Sequence, residues 1–486
     1  MKAISKIIFI FFLNMMYAGC SQQNGVIHST DGYPHIFPDY IGVTIPPNIA
    51  PLNFMVTEEG VEAVQMKCVP KNGPPLTVHS KKKISFPMRK WKKMLQANIN
   101  DTLTFEIVIK RTDQRIKFRP FHVFIAPDSI DTHVVYRLIE PGYVIWNQMG
   151  IYQRDLESFK EFPLITNRLT DGNCMNCHSF CRNDPNTMLF HMREKLPGTI
   201  IWQNGILRRI DTGAEHIISR GVYPSWHPSG KWVAFSTNLT RQNFHAVKDK
   251  KVEVWDAKSD VVALDVEENR ILTAPLLMSK SHFETFPAWS PDGKDLYFCS
   301  ADSLLMPDNF DQLKYSLLRI DFDPVSQTFG EKADTIVSAL KTGKSVSFPR
   351  VSPDGKFILL TMSGYGNFSI WHKDADLYMY HIETGEKYNL SEVNSDDTES
   401  YHSWSSNGRW FVFSSRRIDG LYTRLYFSWV NQHGNANKPF LLPQKDPEHN
   451  GRLMKSYNVP ELIRSKVNLS PHRIAKTARQ PEEKLK

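Results

Sequence analysis

Apolar and polar positions in the second half of the chain form a pattern that recurs four times. Each copy has a short strand-like segment, a turn rich in Pro, Ser, Asp and Gly, and a second apolar strand. The copies are residues 223–236, 286–298, 348–360 and 401–414. Each copy predicts a β-hairpin, because its turn glycine tolerates a positive φ and short apolar runs flank the turn.

The spacing of the copies predicts how the hairpins are arranged. The turn glycines, at positions 230, 293, 355 and 408, lie 63, 62 and 53 residues apart. Each period has room for four strands, which is typical of β-propellers, whose radial closure leaves few exposed strand edges. The sequence therefore predicts an all-β fold with a β-propeller over residues 171–455. A sandwich of tandem hairpins is the structural alternative.

The repeat also has a recognisable consensus. The run Trp-Ser-Pro-Asp-Gly-Lys at residues 289–294, followed by an apolar strand, resembles the repeat of TolB-like propellers, and the resemblance covers roughly residues 175–450. It implies a six-bladed, non-catalytic interaction platform in the periplasm.

The N-terminal half has shorter apolar segments between turns. Apolar and polar residues alternate in Thr104–Ile109 as in a half-buried strand. Residues 36–170 are therefore predicted to form a small β-sandwich-like domain, preceded by a linker at 20–35. Residues 456–486 are predicted to be a basic C-terminal tail, a loose end without a place in the propeller.

Residues 1–19 have the pattern of a lipoprotein signal peptide. Lys2 and Lys6 precede the apolar stretch Ile7–Met16, and small residues stand before Cys20, although Tyr17 departs from the usual aliphatic residue. The apolar run is short for a membrane span. The pattern predicts an envelope lipoprotein, anchored through lipidated Cys20 and facing the periplasm. A short uncleaved anchor is the alternative, and it exports the chain as well.

One segment specifies chemistry by itself. Cys174-Met175-Asn176-Cys177-His178 is a C-x-x-C-H motif. Two thiols at this spacing reach the two vinyl groups of one porphyrin, while the next imidazole binds the iron. The motif predicts one haem c, with thioethers at Cys174 and Cys177 and His178 as an axial ligand. The predicted function is electron transfer or a haem-dependent interaction in the periplasm.

The haem motif is related to the repeat. His178-Ser179-Phe180 aligns with His402-Ser403-Trp404 of the fourth copy. The motif is therefore predicted to replace the first strand of a degenerate first blade. A haem in this setting is held by the propeller, so the distal ligand of ordinary cytochrome c cannot be transferred.

Candidates for the distal iron ligand follow the motif closely. Met188 and Met192 would share one face of a strand, and His191 the other. Met149 and His133 are further candidates. A Met or His ligand would complete an electron-transfer centre, whereas an open position would permit small-ligand binding or peroxide chemistry.

Other uses of the cysteines stay open. Cys181 and His191 could complete a zinc site with the motif, and the C-x-x-C pair could be a redox dithiol or a disulfide. Cys68 and Cys299 are predicted to be buried as small apolar residues. Without haem, the protein would be a non-catalytic scaffold for protein–protein interaction. No G-x-S-x-G nucleophile turn supports a hydrolase.

The charge of the chain restricts its partners. The formal charge of +8 falls to +6 when Lys2 and Lys6 leave with the signal peptide, since 8 − 2 = 6. Such a mild excess is not typical of nucleic-acid binding. Basic residues concentrate at 81–93 and in the tail, as solvated faces or as docking sites for an acidic partner or anionic lipid. The predicted partners are a periplasmic or membrane redox protein, another envelope protein, and the membrane through the lipid anchor.

Overall fold

A computed structural model of the protein describes residues 27–112, 114–141, 147–247 and 250–486, with the side chains of 246, 247, 250 and 251 excepted. The predicted signal peptide and lipidated Cys20 lie outside the described residues. Within the described ranges, no helix is long and apolar enough to cross a membrane.

The N-terminal part consists of two β-sheets and one helix. The seven-stranded sheet contains β1 (Ile27–Ser29), β3 (Thr44–Ile45), β5 (Ala63–Pro70), β6 (Leu76–Ser80), β8 (Thr102–Lys110), β9 (Arg115–Lys117) and β10 (Phe121–Ile125). The three-stranded sheet contains β2 (Ile36–Phe37), β4 (Phe54–Val56) and β7 (Lys83–Ile84). Helix α1 (Met88–Ala97) follows β7.

The two N-terminal sheets share one core. Residues of β8 alternate between buried and half-buried, as their sequence predicts, and Phe105 of that strand meets Phe54 of β4 edge to face at 6.5 Å. Trp91 of α1 joins this core, and its indole donates a hydrogen bond of 3.1 Å to the carbonyl oxygen of Ile49. The prediction of a small β-sandwich is confirmed.

The remaining strands form six four-stranded antiparallel sheets, here called blades 1 to 6. Blade 1 contains β14 (Met175–Phe180), β15 (Met188–Met192), β16 (Gly198–Gln203) and β17 (Ile206–Ile210); blade 2 contains β18 (Val222–Trp226), β19 (Trp232–Val247), β20 (Lys250–Asp265) and β21 (Arg270–Leu272). Blade 3 contains β22 (His282–Trp289), β23 (Asp295–Asp302), β24 (Ser316–Asp323) and β25 (Thr328–Val337); blade 4 contains β26 (Ser345–Val351), β27 (Phe357–Ser363), β28 (Asp376–His381) and β29 (Lys387–Asn389).

Blades 5 and 6 complete the set. Blade 5 contains β30 (Glu399–Trp404), β31 (Trp410–Ser415), β32 (Arg424–Trp429) and β33 (Phe440–Leu441); blade 6 contains β34 (Ser456–Ile463), β11 (His133–Ile139), β12 (Gly150–Asp155) and β13 (Glu161–Thr166). The inner strands β14, β18, β22, β26, β30 and β34 contact one another in a closed cycle. This arrangement is a β-propeller, so the predicted fold class is confirmed.

The predicted hairpins are the inner halves of blades 2 to 5. In all four turns the glycine has a positive φ, between 66° and 75°. In blade 3 the amide of Gly293 donates to the carbonyl of Ser290, whose own amide bonds to Asp295. The turn chemistry read from the sequence therefore forms the turns of the structure.

The structure corrects the predicted domain boundaries. Residues 133–139 and 150–166 do not belong to the N-terminal sandwich but contain β11 to β13 of blade 6, and β34 from the C-terminal segment is their inner strand. The predicted loose tail thus contains a central strand, followed by helix α4 (Pro471–Ala478). The short helices α2 (Ala339–Thr342) and α3 (His449–Arg452) lie between strands. Pairing of segments 300 residues apart leaves no local signal in the sequence.

Candidate functional site

A β-bulge recurs in the inner strand of every blade. The ladder register shifts at this point, and one non-glycine residue takes a φ of about +50°. The six bulge residues are Cys177, Tyr223, Phe286, Phe348, Tyr401 and Val459. A bulge redirects side chains that would otherwise alternate across the sheet. All six residues line one cavity between the inner strands, here called the axial cavity.

The haem motif occupies the blade 1 part of this cavity. Cys174, Asn176, Cys177 and His178 all line it, and its volume is about 210 Å³. Because the bulge at Cys177 interrupts strand alternation, the consecutive residues Cys177 and His178 reach the same space. The structure thus brings together the two thiols and the imidazole of the motif.

His178 is a buried imidazole. Its exposed fraction is 1%, and neither ring nitrogen makes a hydrogen bond of ordinary geometry in the described part of the chain, although the backbone of Val135 and Val459 lies close enough to act on the ring. Burial lowers the pKa of His178 to about 3; nearby Arg137 acts in the same direction, and the backbone of Val135 and Val459 opposes it. The ring is therefore neutral at pH 7, the state in which imidazole binds a metal.

His402 serves as an internal comparison, because it follows the bulge residue of blade 5 as His178 follows that of blade 1. Its Nε2 donates a hydrogen bond of 2.9 Å to the carbonyl oxygen of Leu359 in blade 4. His402 therefore links two blades and has a structural role. His178 occupies the same position, and the backbone of Val135 in blade 6 acts on its ring as that of Leu359 acts on His402, but without a hydrogen bond of ordinary geometry.

The buried histidines predict that the protein is sensitive to acid. Burial lowers the pKa of His402 to about 3, from 6.5 in an exposed histidine. As the pH falls below 6.5, the unfolded chain therefore takes up a proton that the folded chain excludes, so this stabilisation is present above pH 6.5 and lost towards pH 3.

We expect His402 to account for ~2 kcal/mol of lost unfolding free energy between pH 7 and pH 5. His402→Gln, whose amide can still donate to Leu359, should remove this part of the pH-dependent loss of unfolding free energy. Urea unfolding at both pH values measures it. An equal loss in the variant and the wild type would contradict the prediction.

The two motif cysteines are free thiols in different surroundings. Cys174 is buried, and burial raises the pKa of its thiol, whereas Cys177 is partly exposed. Asn176 Nδ2 lies 3.9 Å from Cys174 Sγ. Cys68 and Cys299 are fully buried, as predicted.

Cys181 lies apart from the motif. It lines a second cavity of about 790 Å³, on the other side of the bulges, here called the distal funnel. Its thiol donates to the carbonyl oxygen of His227 at 3.5 Å, and burial raises its pKa to about 11. Within the described residues, no three His, Cys, Asp or Glu side chains lie close enough to hold a metal ion. The cluster expected for zinc is therefore not assembled.

The candidate distal ligands do not reach the axial cavity. Met188, Met192 and Met149 are buried in an apolar core, while His191 lies beside Thr199, at 3.4 Å from its hydroxyl, and lines a separate cavity of about 450 Å³. His133 bonds to the Thr132 hydroxyl and does not line the axial cavity either. The physical reason is that β15 is the second strand of its blade, so its side chains pack into the blade interfaces.

Sequence reasoning missed the arginines of the axial cavity. Arg137, Arg193, Arg350 and Arg416 all line it, and they come from blades 6, 1, 4 and 5. Their positions do not recur in the repeat. The net charge of the whole chain did not indicate that positive charge is concentrated in this cavity.

Comparisons with known proteins add only distant likenesses of fold. No family model matches the chain, and no curated protein matches it. Among solved structures it is similar to a Synechocystis apocarotenoid oxygenase, with 11% identity, a TM-score of 0.38 and coverage of 86% of this chain and 95% of the other. It is also similar to a Mycobacterium tuberculosis puromycin-hydrolyzing peptidase, with 12% identity, a TM-score of 0.35 and coverage of 71% of this chain and 52% of the other.

A further similar structure is the β-propeller domain of the Trilobed protease from Pyrococcus furiosus, with 12% identity, a TM-score of 0.31 and coverage of 67% of this chain and 78% of that one. The chain spans about half the length of the peptidase. At this level of similarity, the activities of these proteins carry no implication for the chain.

Proposed function

We propose that this protein is an envelope lipoprotein, anchored through Cys20, that binds one c-type haem at the axial cavity. Cys174 and Cys177 would form the thioethers and His178 would bind the iron. The observation that carries the proposal is the common cavity: two free thiols and a buried, neutral imidazole share it. The resemblance to TolB-like repeats supports a periplasmic setting. A bound haem would supply one-electron chemistry.

The surroundings suit part of a porphyrin. Tyr223, Phe286, Phe348 and Tyr401 contact one another in sequence, with ring centroids 4.6, 4.1 and 5.0 Å apart, and form an apolar wall. The volume of about 210 Å³ is below the ~300–1,000 Å³ of pockets that bury most of a ligand. The cavity would therefore enclose one part of the macrocycle and leave the rest accessible to a redox partner.

The residues that line the axial cavity also indicate how the haem iron would be coordinated. Among the described residues of the axial cavity, His178 is the sole imidazole and there is no methionine. This composition supports an iron with an open sixth position, and hence haem-dependent ligand binding alongside electron transfer.

The proposal is tested by haem staining after expression in a host that matures c-type haem. We expect a covalent haem band for the wild type and its loss in Cys177→Ala. Cys181→Ala is the matched control, because this cysteine lies four residues away but lines the distal funnel. It should keep the haem.

The visible spectrum of the loaded protein tests the coordination. We expect a high-spin spectrum that shifts when carbon monoxide is added. Absence of haem from the wild type, under conditions where a control cytochrome matures, would refute the proposed function. A six-coordinate spectrum insensitive to carbon monoxide would refute only the open position.

An interaction scaffold is the second candidate, and the distal funnel favours it. The funnel is larger than the axial cavity, and its lining combines the largely buried indoles of Trp226 and Trp404 with the exposed guanidinium of Arg464. Tryptophan and arginine are the residues that most often dominate protein interfaces. In this case the protein would bind partners through the funnel without any need for haem.

A further inference from the structure

Four guanidinium groups converge on the axial cavity without a carboxylate at ion-pair distance. Within the described residues, Arg137, Arg193, Arg350 and Arg416 make no ion pair within 4 Å, and none of their side chains has a hydrogen-bond partner. Glu140 is the one carboxylate among the described lining residues. The lining therefore has a formal charge of four minus one, or +3.

Arg416 is the most telling member of the group. Its exposed fraction is 6%, its Nε has no hydrogen-bond partner, and its guanidinium stacks on Trp371 at 3.5 Å. Burial lowers the pKa of Arg416 to about 10. The buried Nε of Arg137 is also without a partner. Asp397 and Asp419 favour the charged form of Arg416 but make no ion pair with it within 4 Å, so its guanidinium keeps hydrogen-bonding capacity for an anion from outside the chain.

Arg417, the next residue in the chain, shows how the charge of an arginine is usually compensated within a fold. Arg417 donates to a carboxylate oxygen of Glu399 at 2.8 Å and to the carbonyl oxygen of Val393 at 2.6 Å. It does not line the axial cavity. Arg417 is thus hydrogen-bonded to a carboxylate within the fold, whereas Arg416 has only the more distant carboxylates of Asp397 and Asp419.

We infer that the axial cavity is a binding site for carboxylates, with the guanidinium groups of Arg137, Arg350 and Arg416 as donors. The planar guanidinium matches a carboxylate with two parallel hydrogen bonds. Three such groups can hold two carboxylates. The aromatic wall beside them suits the apolar part of the same ligand.

Two sources can supply these carboxylates. One is the pair of propionates of the haem, which lie on the porphyrin edge opposite the vinyl groups; this source rests on the proposed function. Arg350 belongs to blade 4, three steps around the ring from the blade that bears Cys174 and Cys177, so it faces them across the cavity. The other source is a free dicarboxylate.

The first experiment uses the full chain with Cys174→Ser and Cys177→Ser, which cannot attach haem, and titrates it with succinate by calorimetry. We expect Arg416→Gln in this background to weaken binding at least tenfold and to raise the Tm of the ligand-free protein. Arg417→Gln is the matched control and should lower the Tm while leaving binding unchanged. A lower Tm for Arg416→Gln with unchanged binding would assign it a structural role and overturn the inference.

The second experiment uses the haem-loaded protein and distinguishes the sources. If propionates occupy the site, loading should abolish succinate binding, and Arg416→Gln should lower the reduction potential, because a positive charge near the haem favours the reduced iron. If a free dicarboxylate is the ligand, the loaded protein should still bind succinate. The inference fails if haem-free protein does not bind succinate and Arg416→Gln leaves the potential unchanged. Failure of the wild type to take up haem would refute the proposed function, while succinate binding could still be measured.

Discussion

A chain truncated after Lys455 is expected to lose the cooperative unfolding of the propeller. The deletion removes β34, the inner strand of blade 6, which pairs with β11 along its whole length and contacts the inner strands of blades 1 and 5. Without it, β11 is left with an unpaired edge, and the ring of inner strands is open between Trp404 and Met175. Closure of the ring is what removes exposed edges from a propeller.

The measurement is urea unfolding monitored by circular dichroism. The control is a chain truncated after Gln480. The shorter deletion removes a bridge from Glu483 to Ile210 and the ion pairs that Glu482, Glu483, Lys484 and Lys486 make with blades 1 and 2, most of them partly exposed. Since an exposed pair contributes ~0.2–1 kcal/mol, we expect it to lower the unfolding free energy by about 2–3 kcal/mol without loss of cooperativity. If both truncated chains unfolded at the same urea concentration, β34 would not be the closing strand.

Trp410→Ala is expected to lower the unfolding free energy by about 3–5 kcal/mol, the range for removing a large aromatic side chain from a core. Trp410 is fully buried on β31 of blade 5, in the core that this blade shares with the N-terminal sandwich. Its indole donates a hydrogen bond of 3.0 Å to the carbonyl oxygen of Asp128. The substitution therefore opens a cavity at the junction of the two parts.

Trp410→Phe separates packing from hydrogen bonding. Phenylalanine keeps much of the apolar volume but leaves the Asp128 carbonyl without this donor, so we expect a smaller loss, on the order of 1–2 kcal/mol. Urea unfolding of both variants, monitored by tryptophan fluorescence, checks the order. Equal losses for the two variants would show that the hydrogen bond, and not the buried volume, accounts for the effect of Trp410.

Some parts of the fold could be predicted because their signals are local. The Pro-Asp-Gly turns place a glycine where φ is positive and put apolar residues on both sides, and each of these hairpins is present in the structure. The alternation in β8 likewise predicted a half-buried strand. That Cys177 and His178 both line one cavity could not be predicted in this way, because it depends on a bulge that no local rule predicts.

Other parts depend on distant segments of the chain. Blade 6 combines strands from 133–139 and 150–166 with the strand at 456–463, and nothing near either part of the chain indicates the other. The distal-ligand candidates were sought by closeness in sequence to the haem motif, but Met188 and His191 lie on a second strand, away from the axis. Closeness along the chain did not correspond to closeness at the site.

The sequence by itself determined the propeller architecture, the sandwich before it and the residues of the haem motif, because hairpin turns, strand alternation and C-x-x-C-H spacing all act within a few residues. Only the tertiary structure decided which strands close the ring and that Cys181 lies apart from the motif. It also decided that four arginines without ion pairs line the cavity that the motif lines. The physical reason is that burial and charge compensation are properties of the assembled ring, in which each blade contributes a few side chains to a cavity that no single blade contains.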